Sequence, residues 1–123
     1  MTKLLIVEDE VQALAALRKG MIRRGYVVET AATAPHAIAT GRLFKPDILL
    51  TDWLLVGEQG GLQVATELRR LDPRLSIVFV TGLPIPPLQA AAASLRPWVF
   101  LAKPVRFAAI EAAMQKALSA FPA

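Results

Sequence analysis

Four places in the chain carry residues that could share one piece of chemistry. They are Glu8-Asp9-Glu10, Thr51-Asp52, Thr81-Gly82 and Lys103-Pro104. Carboxylates brought together repel one another unless a cation neutralises them. A hard cation such as Mg²⁺, or Mn²⁺ in its place, binds through one or two carboxylates and keeps waters or phosphate oxygens as its other ligands. A hydroxyl and an ammonium nearby suit the remaining oxygens of a phosphoryl group in transfer. An aspartate can then act as the nucleophile and form an acyl phosphate. The chain has no cysteine, which excludes disulfides, thiolate metal sites and thiol catalysis.

The elements between these residues decide whether they meet. Apolar runs at Lys3–Val7, Asp47–Thr51, Ser76–Thr81 and Trp98–Ala102 have the length and composition of strands buried on both faces. Tyr26–Thr30 is more polar and reads as a fifth strand at an edge. Val11, Leu14, Leu17 and Met21 recur at helical spacing, with Gly25 as a stop. Pro35 suits the first turn of a second helix running to Phe44 and ended by Pro46. Leu62, Ala65, Leu68 and Leu71 mark a third helix, stopped at Asp72-Pro73. Pro84, Pro86 and Pro87 leave room only for a short fourth helix at Leu88–Leu95, and Ala108–Leu118 is the fifth. Five βα units in series predict a parallel sheet with helices on both faces. In such a sheet, ligands bind beyond the carboxyl ends of the strands, where all four polar groups fall.

With those residues in place, the chain resembles the receiver domain of two-component response regulators. The resemblance rests on Val7-Glu8-Asp9-Glu10, on the strand ending at Asp52, on Thr81-Gly82 and on Lys103-Pro104, in that order along one domain of residues 1–123. It implies a flavodoxin-like (βα)5 fold with strand order 2-1-3-4-5, a topology familiar for the family. It also implies roles. Asp52 is the phosphoacceptor. Asp9 binds Mg²⁺ directly, Glu8 assists it, and Leu54 offers its backbone carbonyl. Thr81 hydrogen-bonds the phosphoryl group, and Lys103 pairs with the Asp52 carboxylate or its phosphate. The Lys103–Pro104 bond is often cis in the family. Phe100 falls at the family's aromatic switch position. The implied partners are a histidine kinase or histidine phosphotransfer protein as donor. Beyond the switch, the resemblance implies a downstream protein or a second copy on the face formed by the fourth helix, fifth strand and fifth helix. Such a domain promotes its own phosphorylation and is not an enzyme in the usual sense.

Each residue also has a plainer reading. Acids favour helix N-termini, so Glu8, Asp9 and Glu10 suit helix capping. Phe100 and Trp98 suit core packing, and Trp53 suits either shielding of the acidic rim or packing on the next loop. His36 reads as exposed surface. Arg23-Arg24 and Arg69-Arg70 read as solvated helix faces.

Two segments depart from the family. Val56 stands where a proline is usual, and Gly57-Glu58-Gln59-Gly60-Gly61 lengthens the loop after Asp52. Its three glycines permit unusual backbone angles, and Glu58 is a candidate extra acid. The proline-rich stretch after Gly82 alters the family's signalling face. Leu54 and Leu83, two residues beyond Asp52 and Thr81, cannot position a hydrolytic water, which predicts a long-lived phosphoaspartate.

Bulk properties narrow the function classes. The chain has 123 residues, 54% hydrophobic and 20% charged, which is a globular composition. No apolar run spans a bilayer, and Leu4–Val7 is too short for a signal-peptide core, so the chain reads as cytoplasmic with no membrane partner. Fourteen basic residues against ten acidic give +4, too modest and dispersed to predict direct nucleic-acid binding. A flavin site needs a phosphate-cradling loop after the first strand, where this chain has three acids. The competing class is a phosphorylation-independent interaction module on the same fold. Met1 and the tail Phe121-Pro122-Ala123 suit a stand-alone domain, and a fragment lacking its output domain fits as well.

Overall fold

The structure, a computed structural model, describes residues 1–121; Pro122 and Ala123 lie outside the described residues, and with them part of the expected tail. Five strands and five helices alternate: β1 Lys3–Val7, α1 Val11–Arg23, β2 Val27–Ala31, α2 Ala34–Phe44, β3 Ile48–Asp52, α3 Gly61–Leu71, β4 Ser76–Thr81, α4 Ile85–Ala91, β5 Val99–Ala102 and α5 Phe107–Ser119. A single 3₁₀ turn, Ala93–Leu95, follows α4. The strands form one parallel sheet in the order β2-β1-β3-β4-β5.

The sheet explains the apolar runs. Every residue of β3 and β4 is buried, as expected of strands covered on both faces. Successive side chains point to opposite faces. Leu5, Val7, Leu49, Ile77 and Phe79 pack towards α2 and α3. Leu4, Ile6, Ile48, Leu50, Val78 and Val80 pack towards α1 and α5. The edge strand β2 alternates between exposed and covered residues, which is why its sequence signal is weaker.

Strand register carries the chemistry to one edge. Val7 lies opposite Thr51, Asp52 opposite Val80, and Thr81 opposite Ala102. The residues that end β1, β3, β4 and β5 therefore emerge along the same rim of the sheet.

Helix α4 differs from its expected bounds. It begins at Ile85, not Leu88, and Pro86 and Pro87 lie in its first turn. Proline lacks the N–H that a first turn leaves unpaired, and its fixed φ suits that position. The prolines start this helix and do not delay it to Leu88.

Arg69 is also a correction. The pair Arg69-Arg70 reads as a solvated face, and Arg70 does pair with Glu67 at the surface. Arg69 turns inward instead. Its Nε donates to the Leu75 carbonyl at 3.0 Å, Nη1 to Leu95 at 2.7 Å and Nη2 to Pro97 at 2.8 Å. One guanidinium thus ties α3 to the entry of β4 and to the connection before β5. Arg69→Ala leaves those carbonyls without this donor. Because the group retains some contact with water, the expected cost is about 2 kcal/mol and not the sum of three charged hydrogen bonds. Urea unfolding checks it; a loss within error of zero would make the three bonds incidental.

Candidate functional site

The site starts with the helix that follows β1. Glu10 caps α1, its carboxylate accepting from the N–H groups of Gln12 at 3.3 Å and Ala13 at 2.6 Å. The capping reading therefore holds for Glu10. It leaves Glu8 and Asp9 free for other work. The Glu8 N–H donates to Ala31 on β2, which fixes the chain as it leaves β1.

Glu8, Asp9 and Asp52 bring carboxylate oxygens within 4.8 Å of one another. Asp9 Oδ2 also accepts from the Val56 N–H at 2.9 Å, linking the end of β1 to the loop after β3. Glu8 is 6% exposed, and its Oε2 has no hydrogen-bond partner. A buried carboxylate oxygen left unpaired is costly, so the site is chemically incomplete with protein groups alone.

Lys103 supplies the only ammonium here among the described residues. Its Nζ lies 3.0 Å from Asp52 Oδ2 and 3.9 Å from Glu8 Oε2. The lysine is placed by its own backbone, whose N–H donates to the Thr81 carbonyl at 2.7 Å. The Lys103–Pro104 peptide bond is cis, as the resemblance implies. Burial pushes the Asp52 carboxyl above its ordinary range, although the hydrogen bond and charge of Lys103 pull it down. Burial wins because Asp52 is only 8% exposed, while the lysine remains half in solvent and its charge is screened.

Thr81 is buried at the end of β4, and its Oγ1 accepts from the Leu83 N–H at 3.0 Å. Its hydroxyl hydrogen remains available to donate. Leu54 is exposed beside Asp52, and Leu83 is exposed beyond Thr81. Glu58 is exposed on its loop and lies outside the carboxylate cluster.

The loop after Asp52 needs glycine for a reason that sequence reasoning missed. Gly57 does adopt a left-handed backbone, with φ of 106°. Gly60 and Gly61 instead allow close approach. A Cβ on Gly61 would sit 2.0 Å from the Asp52 carbonyl oxygen, and one on Gly60 would sit 2.6 Å from the Trp53 carbonyl oxygen. A Gly61 N–H to Trp53 carbonyl bond of 2.8 Å completes the contact. Helix α3 therefore begins directly against the backbone of the acidic residue.

The aromatic residues form a continuous group on the other side of Asp52. Trp53 lies edge-on to Phe79 at 5.2 Å, and Phe100 stands 4.9 Å from both Phe79 and Trp98. Trp53 thus packs on the core. Trp98 is likewise a packing residue, and its indole N–H donates to the Ala92 carbonyl at 2.8 Å, just after α4. His36 is exposed at the start of α2, as expected.

Residues 4–115 match the sequence model of the response regulator receiver domain. The chain belongs to that family. It is 33% identical over 101 residues to the photosynthetic apparatus regulatory protein RegA of Cereibacter sphaeroides, covering 82% of this chain and 54% of RegA. It is 29% identical over 115 residues to the transcriptional regulatory protein GlrR of Escherichia coli, covering 94% of this chain and 26% of GlrR. The receiver thus spans about half of one relative and a quarter of the other. Among solved structures, a response regulator receiver protein from Sinorhizobium medicae superposes with a TM-score of 0.87 at 24% identity, covering 98% of this chain and 97% of that one. A response regulator protein from Burkholderia pseudomallei superposes with a TM-score of 0.85 at 28% identity, covering 98% of this chain and 70% of that one. That second structure contains a phosphorylated aspartic acid, a calcium ion and citrate. The receiver fold and strand order expected from the sequence are those observed. Among the described residues, no helix is long and apolar enough to cross a membrane.

Proposed function

We propose that this receiver is a phosphorylation switch, with Asp52 as acceptor and Mg²⁺ as its cofactor. The observation that carries the reading is the meeting of Glu8, Asp9 and Asp52 within 4.8 Å beside the Lys103 ammonium. The orphaned Glu8 Oε2 favours a cation at this spot, since a metal or its bound water would satisfy it. Asp9 and Asp52 would hold the ion, with Glu8 in support and the Leu54 carbonyl as a further ligand. When bound, Mg²⁺ supplies positive charge against the phosphoryl oxygens.

The remaining chemistry belongs to the chain. The Asp52 oxygen that does not accept from Lys103 attacks phosphorus. The bond from phosphorus to the donor nitrogen or oxygen breaks, and the donor leaves with its electron pair. Lys103 then faces a phosphate instead of a bare carboxylate, and Thr81 can donate its hydroxyl hydrogen to a phosphoryl oxygen. The buried position of Asp52 strengthens both interactions. The donor in the cell is a histidine kinase or a histidine phosphotransfer protein. The domain is consumed and restored once per cycle, so it is a signalling substrate and not a turnover enzyme.

Readout runs through the opposite side of the site. Phosphorylation biases an existing two-state equilibrium, and the element biased is the surface of α4, β5 and α5. Phe100 lies on β5 opposite Phe79 of the Thr81 strand, with its ring 4.9 Å from Phe79 and from Trp98, a position that supports a switching role for it. A downstream protein or a second copy of the domain would bind there.

Incubation with a small phosphodonor and Mg²⁺ tests the reading. The intact protein should gain one phosphoryl mass, and a chelator should prevent it. No gain with any donor would favour a phosphorylation-independent interaction module.

The lifetime of that product is a separate prediction. Leu54 and Leu83 are exposed beside the site and carry no group to orient a water molecule. The phosphoaspartate should persist for minutes or longer, read as decay of the phosphoryl mass with Mg²⁺ present. Leu54→Asn should shorten it several-fold. A half-life of seconds in the unmodified protein would refute the argument.

A further inference from the structure

The Asp9 carboxylate has one hydrogen bond among the described residues, and it comes from the loop after β3. The Val56 N–H donates to Asp9 Oδ2 at 2.9 Å. The valine side chain does not account for its own position, since it is 71% exposed. What Val56 brings to the site is its backbone donor. The sequence departs from its family at this residue, and the usual proline has no N–H to give.

The loop holds that donor from both sides. Leu55, the residue before it, is buried in the core with Val64 and Leu68 of α3. Gly57, the residue after it, takes a left-handed backbone with φ of 106°. Exposed Glu58 and Gln59 follow, and the Gly61 N–H closes the loop on the Trp53 carbonyl at 2.8 Å. Both ends of the loop are fixed, so the Val56 N–H is an aimed donor and not a chance contact.

A carboxylate held through one oxygen offers a cation chiefly the other. With Oδ2 engaged by Val56, Oδ1 is the oxygen left free. Binding through both oxygens would need the carboxylate to turn from the loop and lose the bond. Mg²⁺ and Ca²⁺ differ on this point. Mg²⁺ demands a tight octahedral shell, whereas the larger Ca²⁺ takes more ligands and accepts both oxygens of one carboxylate.

We infer that the Val56 N–H is a positioning group that holds Asp9 as a one-oxygen ligand and so favours Mg²⁺ over Ca²⁺ at the acidic site. This role rests on the proposed function, which gives Asp9 to the metal. Hydrogen-bond partners of metal-binding carboxylates fix their orientation, and losing one weakens metal binding by roughly 10- to 100-fold. Here the loss falls mainly on Mg²⁺. Ca²⁺ regains part of it by taking the second oxygen that the bond had held.

Calorimetric titration of the whole chain with Mg²⁺ alone and with Ca²⁺ alone, without a phosphodonor, tests the role. Val56→Pro removes the N–H. It should weaken Mg²⁺ by about tenfold or more, and lower the preference for Mg²⁺ over Ca²⁺ by at least about threefold. Val56→Ala, the conservative variant, retains the N–H and should keep the unmodified preference. Should the proline distort the loop, seen as a lower urea midpoint, a backbone ester at Val56 removes the N–H and keeps the side chain. The same fall in preference is expected of it. Equal weakening of both ions by the ester would leave Val56 a merely structural part and overturn the inference, as would unchanged Mg²⁺ binding. Either result leaves the proposed function standing. No Mg²⁺ binding by the unmodified protein would overturn both.

Discussion

Asp52→Asn should abolish the phosphoryl mass gain completely and, in metal-free buffer at neutral pH, raise the melting temperature by several degrees. The two effects have one origin. Asparagine keeps the shape of the side chain but lacks the anionic oxygen that attacks phosphorus. It also removes a charge that the fold holds at a disadvantage. Burial raises the Asp52 carboxyl above its ordinary range despite Lys103 at 3.0 Å. The sign follows from proton linkage. Between the unfolded carboxyl value and the raised folded value, the native state binds more protons than the unfolded chain. Stability of the unmodified protein therefore falls as pH rises through that window. Asp52→Asn escapes the loss. Its advantage should be small in acid, below the ordinary carboxyl range, and greatest at neutral pH. Lys103 does not reverse the balance, because its ammonium remains half in solvent and is rehydrated when the carboxylate is gone. Mg²⁺ should narrow the gap by binding the unmodified native state. Melting curves across pH, with and without Mg²⁺, check the argument. A variant less stable than the unmodified protein at neutral pH without metal would show that the Lys103 pairing outweighs burial.

Much of this site was legible in the sequence because parallel sheets impose a simple rule. A strand buried on both faces reads as an uninterrupted apolar run, so its polar terminus stands out. Asp52 after Ile48–Thr51 and Thr81 after Ser76–Val80 are such termini. Register then brings them to one rim without further information. Features set by contacts distant in sequence were not legible. Nothing near Arg69 announces that its partners are carbonyls six, 26 and 28 residues away. Pro86 and Pro87 are locally ambiguous, because the same residues break a helix interior and suit a first turn. The pairing of Thr81 with Gly82 made the motif recognisable, yet a Cβ on Gly82 would meet nothing within 4 Å.

Gly61→Ala should be among the most damaging single-methyl changes in the molecule. The added Cβ would lie 2.0 Å from the Asp52 carbonyl oxygen, 3.0 Å from its carbonyl carbon and 3.1 Å from Thr51 Oγ1. The first two are backbone atoms of a buried central strand, and Thr51 Oγ1 is engaged with the same Asp52 carbonyl at 2.9 Å. None can swing aside as the end of a flexible side chain would. Either α3 moves away from β3 or the end of β3 moves. Overpacking of this kind costs about 3 kcal/mol. Movement at the end of β3 has a further consequence, because the Asp52 carboxylate hangs from the displaced residue. Misplacement by about 1 Å can slow a reaction roughly a hundredfold, so phosphorylation should slow by at least about tenfold in molecules that remain folded. Gly82→Ala supplies the control, with open space around its Cβ and an expected change within about 0.5 kcal/mol. Urea unfolding and the rate of phosphoryl mass gain, measured on all three proteins, separate the two effects. Full activity and stability in Gly61→Ala would mean that α3 can shift without cost, and that its close seat against Asp52 does not position the carboxylate.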